Sequence, residues 1–172
     1  MIVFYDIGLI IAILILQTTL AEFVAEVAGA KPDLILLLVV SLGLLRGKTA
    51  GMGYGWALGL LQDGLSGSLL GQNALSKGLI GFTAGVLHRN LGDLTPIIQI
   101  LVVPIATLFD AAIYLGTASL LYDAPVSQKA LGTLGIVVLL NTAGSPAVSW
   151  MVRACLRRLK RISGEAPLAR PR

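Results

Sequence analysis

The sequence predicts an all-α polytopic membrane protein of about six transmembrane helices. Three observations carry that prediction. Hydrophobic residues make up 56% of the 172-residue chain and charged residues 13%, against roughly 25% charged in an average soluble domain. With a mean hydropathy of +0.87, there is too little polar surface to cover a globule in water. Long apolar stretches recur along the chain, separated by short polar turns. The basic residues are also unevenly spread: of 13 Lys and Arg, Arg153, Arg157, Arg158, Lys160, Arg161, Arg170 and Arg172 all follow the last apolar stretch. The length suits one domain, and no soluble domain, linker or repeat interrupts it.

The first segment runs from Ile2 to Ala21. Its opening, MIVFYDIG, lacks the basic n-region of a signal peptide. The AGA of Ala28 to Ala30 resembles a cleavage site, but further apolar segments follow, so an uncleaved first helix is expected. LILLLVVSLGLL, Leu34 to Leu45, is bracketed by Asp33 and Arg46. It falls short of the roughly 20 residues a spanning helix needs, so it crosses short or tilted, or does not cross fully. TAGMGYGWALGLLQD and NALSKGLIGFTAGVL are the third and fourth segments. Thr95 to Leu121, with Pro96 and Pro104, is the fifth, and Leu131 to Val152 the sixth.

Signing the loops fixes the expected orientation. With the N-terminus inside, the cytoplasmic segments hold Arg46, Lys48, Arg89 and the basic tail. The outer segments hold Glu22, Glu26, Lys31, Asp33, Asp63, Asp123 and Lys129. Six spans with both termini in the cytoplasm satisfy the positive-inside rule. Residues 1–155 then form one integral-membrane domain and residues 156–172 a flexible basic tail. A basic cluster can signal nucleic acid, but no nucleic-acid-binding fold accompanies this one. Directly after an apolar span, Arg153, Arg157, Arg158, Lys160 and Arg161 are expected to contact anionic lipid on the cytoplasmic side.

Catalysis is not expected. Cys155 is the sole cysteine, so neither a disulfide framework nor a thiolate metal site can be built. His88, beside Arg89, has no second His, Cys or paired acid and reads as interfacial. Ser66, Ser68 and Ser76 lack a His partner. There is no P-loop. No enzyme, metal or cofactor is therefore predicted.

Three polar or small-residue features remain. Gly51, Gly55 and Gly59 recur every four residues, with Asp63 continuing the series, and Gly81 and Gly85 repeat the spacing. Such stripes serve close helix packing, either inside the bundle or against another membrane protein. Asp63 and Lys77 lie symmetrically about Leu70, so a hairpin places them at similar depth near the outer surface. There they either form an ion pair or each reach interfacial water. Asp110 and Asn141 are similarly symmetric about the last loop and fall near mid-membrane. A carboxylate there seldom faces lipid. Asp110 is thus expected to point into the bundle, bonded to Asn141, Thr107 or Thr142, or protonated. A proton or cation relay is the functional alternative, but no second ionisable group is evident at that depth.

The stretch KPDLILLLVVSLGLLRGKTAGMGYGWALGLLQDGLSGSLLGQNALSKGLIGFTAGVL resembles the core of the rod shape-determining protein MreD family. The likeness lies in Pro32-Asp33 opening an apolar helix, the basic turn Arg46 to Lys48, and the GLLxD element of Gly59 to Asp63. It continues through Gly67 and Gly71 to Gly81 with Gly85. The resemblance implies a non-enzymatic scaffold of the bacterial elongation machinery in the inner membrane. It implies MreC as direct partner, and MreB filaments, RodA and the elongation transpeptidase as indirect ones. It also implies a fold like the substrate-binding subunits of energy-coupling-factor transporters. That kinship supplies the alternative function, a membrane subunit binding a vitamin or another small molecule. Such a subunit would need a walled outer pocket with convergent polar groups.

Overall fold

A computed structural model describes residues 2–67, 69–87, 95–122 and 128–162. Outside the described residues lie His88, Arg89, Asp123 and the tail beyond Ile162. Within them are six helices: α1 (Ile2–Ala28), α2 (Leu34–Arg46), α3 (Lys48–Ser66), α4 (Gln72–Leu87), α5 (Thr95–Tyr122) and α6 (Gln128–Ile162). The all-α architecture and the helix order match the expectation. Two helices run further than hydropathy alone suggested. α1 continues through Glu22 and Glu26 until Gly29, at φ 69°, turns the chain. α6 continues through the basic run, because Leu, Arg and Lys are good helix formers whether or not lipid surrounds them. The boundary placed at residue 156 therefore falls inside a helix.

Six crossings were expected, but only three helices among the described residues are long and apolar enough to cross on their own. They are Ile10–Ala28 in α1, Ile97–Thr117 in α5 and Leu131–Arg158 in α6. α2 has 13 residues and α4 has 16, roughly 20 and 24 Å at 1.5 Å per residue, against a hydrocarbon core of about 30 Å. α3, with 19 residues, is long enough but carries five glycines, Gln62 and Asp63.

The short α2 is the centre of the molecule. Every residue from Leu34 to Leu44 is buried, the fate of a helix that is apolar all round. It packs against each of the other five helices. Its start is fixed by Asp33, whose carboxylate accepts the Leu36 N–H at 2.9 Å. That is the usual repair of the unpaired amides at a helix N-terminus. Its end is Gly47, at φ 90°, whose N–H donates to the Gly43 carbonyl at 2.9 Å. Gly47 also starts α3, so the two helices meet without a loop. Large apolar side chains instead coat the outside, among them Ile15, Trp56, Leu101, Ile105, Leu139 and Trp150. An apolar exterior around a core holding charge is the arrangement that lipid, not water, favours.

The glycine stripes are spent on contacts within the bundle. A Cβ on Gly51 would lie 2.2 Å from the Gly81 carbonyl oxygen, and one on Gly81 2.1 Å from that of Gly51. A Cβ on Gly55 would meet the Lys77 carbonyl oxygen at 2.2 Å, one on Gly59 the Ala74 Cα at 2.5 Å, and one on Gly85 the Lys48 Cα at 2.3 Å. Backbone, which cannot step aside, is the obstacle each time. Of the two roles open to the stripe, these positions fill the internal one. α3 and α4 lie backbone to backbone, a contact that gains dispersion energy where no hydrophobic drive exists. Gly53, on the outer side of α3, has nothing within 4 Å.

Gly81→Ala or Gly51→Ala should therefore lower the melting temperature in detergent, by the equivalent of about 1–3 kcal/mol or more. Gly53→Ala should leave it unchanged or raise it, by about 0.5–1 kcal/mol of helix propensity. Circular dichroism melts of the purified variants check both.

Candidate functional site

The polar groups converge at the end of the bundle where α2 begins. Some come from the chain around Asp33 and the rest from the other five helices. Lys77 on α4 is fully enclosed, with its side chain 0% exposed. Its Nζ lies 3.0 Å from Asp33 Oδ2 and 3.4 Å from Asp110 Oδ1 on α5. It also donates to Asn73 Oδ1, one helical turn back, at 2.8 Å. An ammonium has three protons to place, and three acceptors stand round this one. Ser76 Oγ donates to the same Asp110 oxygen.

Asp33 is the hinge of the network. Beyond Lys77 and the Leu36 amide, its Oδ2 receives a long 3.5 Å contact from Gln62 Nε2 on α3. Its own backbone N–H donates to Asn141 Oδ1 on α6 at 2.9 Å, and Asn141 Nδ2 donates to Thr107 Oγ1 on α5 at 3.1 Å. Gln17 on α1 clamps the residues on either side, donating to the Pro32 carbonyl at 3.2 Å and accepting from the Leu34 N–H at 2.7 Å. All six helices thus contribute. Burial pushes the Asp33 carboxyl upward, but the Lys77 ammonium, the Leu36 N–H and Gln62 outweigh it and hold the group below the usual carboxylate range.

Two expected pairings are corrected. Lys77 was paired with Asp63; it is paired with Asp33 and Asp110 and does not reach interfacial water. Asp63, itself 1% exposed, instead caps α4 from across the hairpin. Its carboxylate accepts from Gly71 N at 2.8 Å, Asn73 N at 3.1 Å, Asn73 Nδ2 at 2.8 Å and Ala74 N at 3.4 Å. The open amides and the positive end of the helix dipole explain the preference. Asp110 was expected on Asn141, Thr107 or Thr142; it points into the bundle, but towards Ser76 and Lys77 on α4. Asn141 takes Thr107 and the Asp33 amide. Asp110 also has the ionisable neighbours that the sequence did not reveal.

Sequence reasoning missed Asp33, Gln17, Gln62, Asn73 and Ser76 as members of the cluster. A usable signal existed for Asp33, an acid placed directly before the most apolar segment of the chain. Beside the cluster opens a cavity of about 900 Å³, with Gln17, Asp33, Gln62, Asn73, Asp110 and Asn141 among its polar lining. Glu22 and Lys31 pair with each other at its edge. The opposite end of α2 carries the basic turn, where Arg46 Nη1 donates to Tyr54 Oη at 2.7 Å and its guanidinium lies 5.5 Å over the ring. On α6, Arg153, Arg157 and Arg158 occupy the last described turns; the side chains of Lys160 and Arg161 lie outside the described residues.

Fold and site together define a helical membrane protein organised round a buried ion cluster. The family model for the rod shape-determining protein MreD matches residues 1–141, and the chain belongs to that family. Its role is accordingly in rod shape determination. No curated protein and no solved structure matches the chain. The expected likeness to energy-coupling-factor subunits, implied by the family resemblance, is therefore not shown.

Removing only Lys77 leaves two carboxylates facing each other, so Lys77→Met should cost about 3–5 kcal/mol. The triple variant Asp33→Asn, Lys77→Met, Asp110→Asn should recover part of that loss; melting curves of both in one detergent provide the check. The depressed Asp33 group stabilises the fold fully above its unfolded value of about 3.9 and loses that contribution as the pH falls through its lower folded value. The part of the acid destabilisation due to Asp33 should therefore appear only below about pH 4, and should vanish in Asp33→Asn.

Proposed function

We propose that this chain is a non-enzymatic scaffold of the bacterial elongation machinery in the inner membrane, with both termini in the cytoplasm. It partners MreC and, through it, links MreB filaments to the wall synthases RodA and the elongation transpeptidase. The observation that carries this reading is the family match across residues 1–141. The structure adds support of two kinds. The core is stapled by polar contacts from all six helices, which suits a part that holds a shape. The apolar exterior is broad, and the glycine faces are occupied by each other. Partner docking is therefore assigned to the exposed apolar faces of the helices and not to the glycine stripes. Arg46 and Lys48 lie at the same end of α2 as the proposed cytoplasmic side. The basic end of α6 continues to that side, where Arg153, Arg157, Arg158, Lys160 and Arg161 meet anionic lipid.

A second reading, a small-molecule-binding transporter subunit, is favoured by one observation, the polar-lined cavity near the Asp33 end. Affinity purification of the tagged protein from its native membrane in mild detergent separates the two. Recovery of MreC with the elongation synthases or MreB is the expected result. Recovery of paired cytoplasmic ATPases with a membrane coupling subunit, and no MreC, would overturn it.

A further inference from the structure

The cavity beside the ion cluster is built for one kind of guest. Its volume of about 900 Å³ lies within the roughly 300–1,000 Å³ of small-ligand sites. The charges around it do not balance: Asp33 and Asp110 both contribute to the lining, and Lys77 is the one cation held between them. Glu22 and Lys31, at the edge, cancel each other. With both carboxylates ionised, the cluster leaves one negative charge in excess.

The unmet hydrogen-bonding capacity has the same sign. Asp110 Oδ1 is taken by Ser76 and Lys77, while among the described residues no donor reaches its Oδ2, and the side chain is 20% exposed. Gln62 Oε1, also in the lining residue set, is buried and accepts nothing. Both open atoms are acceptors. An acceptor without a donor is unfavourable where water is excluded, and an excess charge there more so. Part of the wall is apolar, with Leu14, Ile35, Leu36, Leu115, Leu134 and Val137. Tyr114 adds an aromatic ring, about half exposed, which suits a cation.

We propose that this cavity binds an organic cation, a primary ammonium carried on an apolar body, with its nitrogen at Asp110. The ammonium supplies the missing positive charge and donates to Asp110 Oδ2, with Gln62 as the neighbouring acceptor. The apolar body lies along α1, α2, α5 and α6. A free amine and the headgroup of an ethanolamine phospholipid present the same chemistry. The proposal does not depend on which partner the chain has, because it concerns the protein alone.

The test is calorimetric titration of the purified full chain in phosphatidylglycerol nanodiscs with 2-phenylethylamine. Neutral 2-phenylethanol and anionic 3-phenylpropionate serve as shape-matched controls. The expected result is saturable binding of the amine, at least about tenfold tighter than either control. Asp110→Asn should abolish that preference. Leu134→Trp, which fills the apolar end without touching the ion cluster, should abolish binding altogether and guards against misfolding of the first variant. Repeating the titration in phosphatidylethanolamine nanodiscs separates the sources. Loss of amine binding there identifies the lipid headgroup as occupant, and unchanged binding identifies a free amine. Absence of saturable binding to the wild-type chain, or equal affinity for amine and alcohol, would overturn the proposal. So would unaltered amine binding in a folded Asp110→Asn protein.

Discussion

A single enclosed ammonium governs this structure. Lys77 has no access to solvent, so its charge is tolerable only where carboxylates meet it. Those carboxylates come from the turn before α2 and from the middle of α5. Desolvating three charged groups is costly, and the mutual attraction roughly offsets that cost. What the cluster confers is uniqueness: in an apolar bundle many helix rotations bury similar area, but few bring Asp33, Lys77 and Asp110 together. The amide and hydroxyl contacts of Gln17, Asn141 and Thr107 extend the same restriction to α1 and α6.

The cluster depends in turn on how near α3 and α4 can come. Gly55 lies against the Lys77 carbonyl, so the residue bearing the buried cation is positioned by a glycine on the neighbouring helix. Gly59 does the same for Ala74, whose amide is among those Asp63 caps. Removing side chains from one interface thus sets the depth and rotation of α4, and with them the direction of Lys77. α2 completes the wedge, for Gly43 also faces the Gly81 carbonyl. All six helices take their places around that triple contact or the polar network above it.

Much of the fold was legible because hydropathy and punctuation are local. Polar brackets such as Asp33 and Arg46 marked helix ends to within a few residues, and the four-residue glycine spacing announced close packing. The site was less legible for a definite reason. Counting from a hairpin turn ranks residues within that hairpin but does not level one hairpin against another: Lys77, expected near the outer surface, meets Asp110, expected near mid-membrane. It gives no rotation about the helix axis, so it cannot say which neighbour a side chain faces. Asp63 faces the open end of α4, and Asp110 faces α4 in place of α6. The number of crossings is hard to read for a related reason. A short apolar segment reads alike whether it lies in lipid or is wrapped by other helices, and α2 is wrapped. The cavity has no sequence signal, since it is a volume that side chains from all six helices leave unfilled.

The contact between Asp33 and Asn141 joins residues 108 positions apart. A chain made from its N-terminus has to lodge α2 and Lys77 before the residues that complete their surroundings exist. α3 and α4, too polar or too short to insert alone, face the same delay. Biogenesis is therefore gated by the last helix. Until α6 is synthesised, the nascent chain holds charged groups in an unfinished enclosure, which a membrane chaperone or protease can recognise. A prematurely ended chain would present that signal permanently.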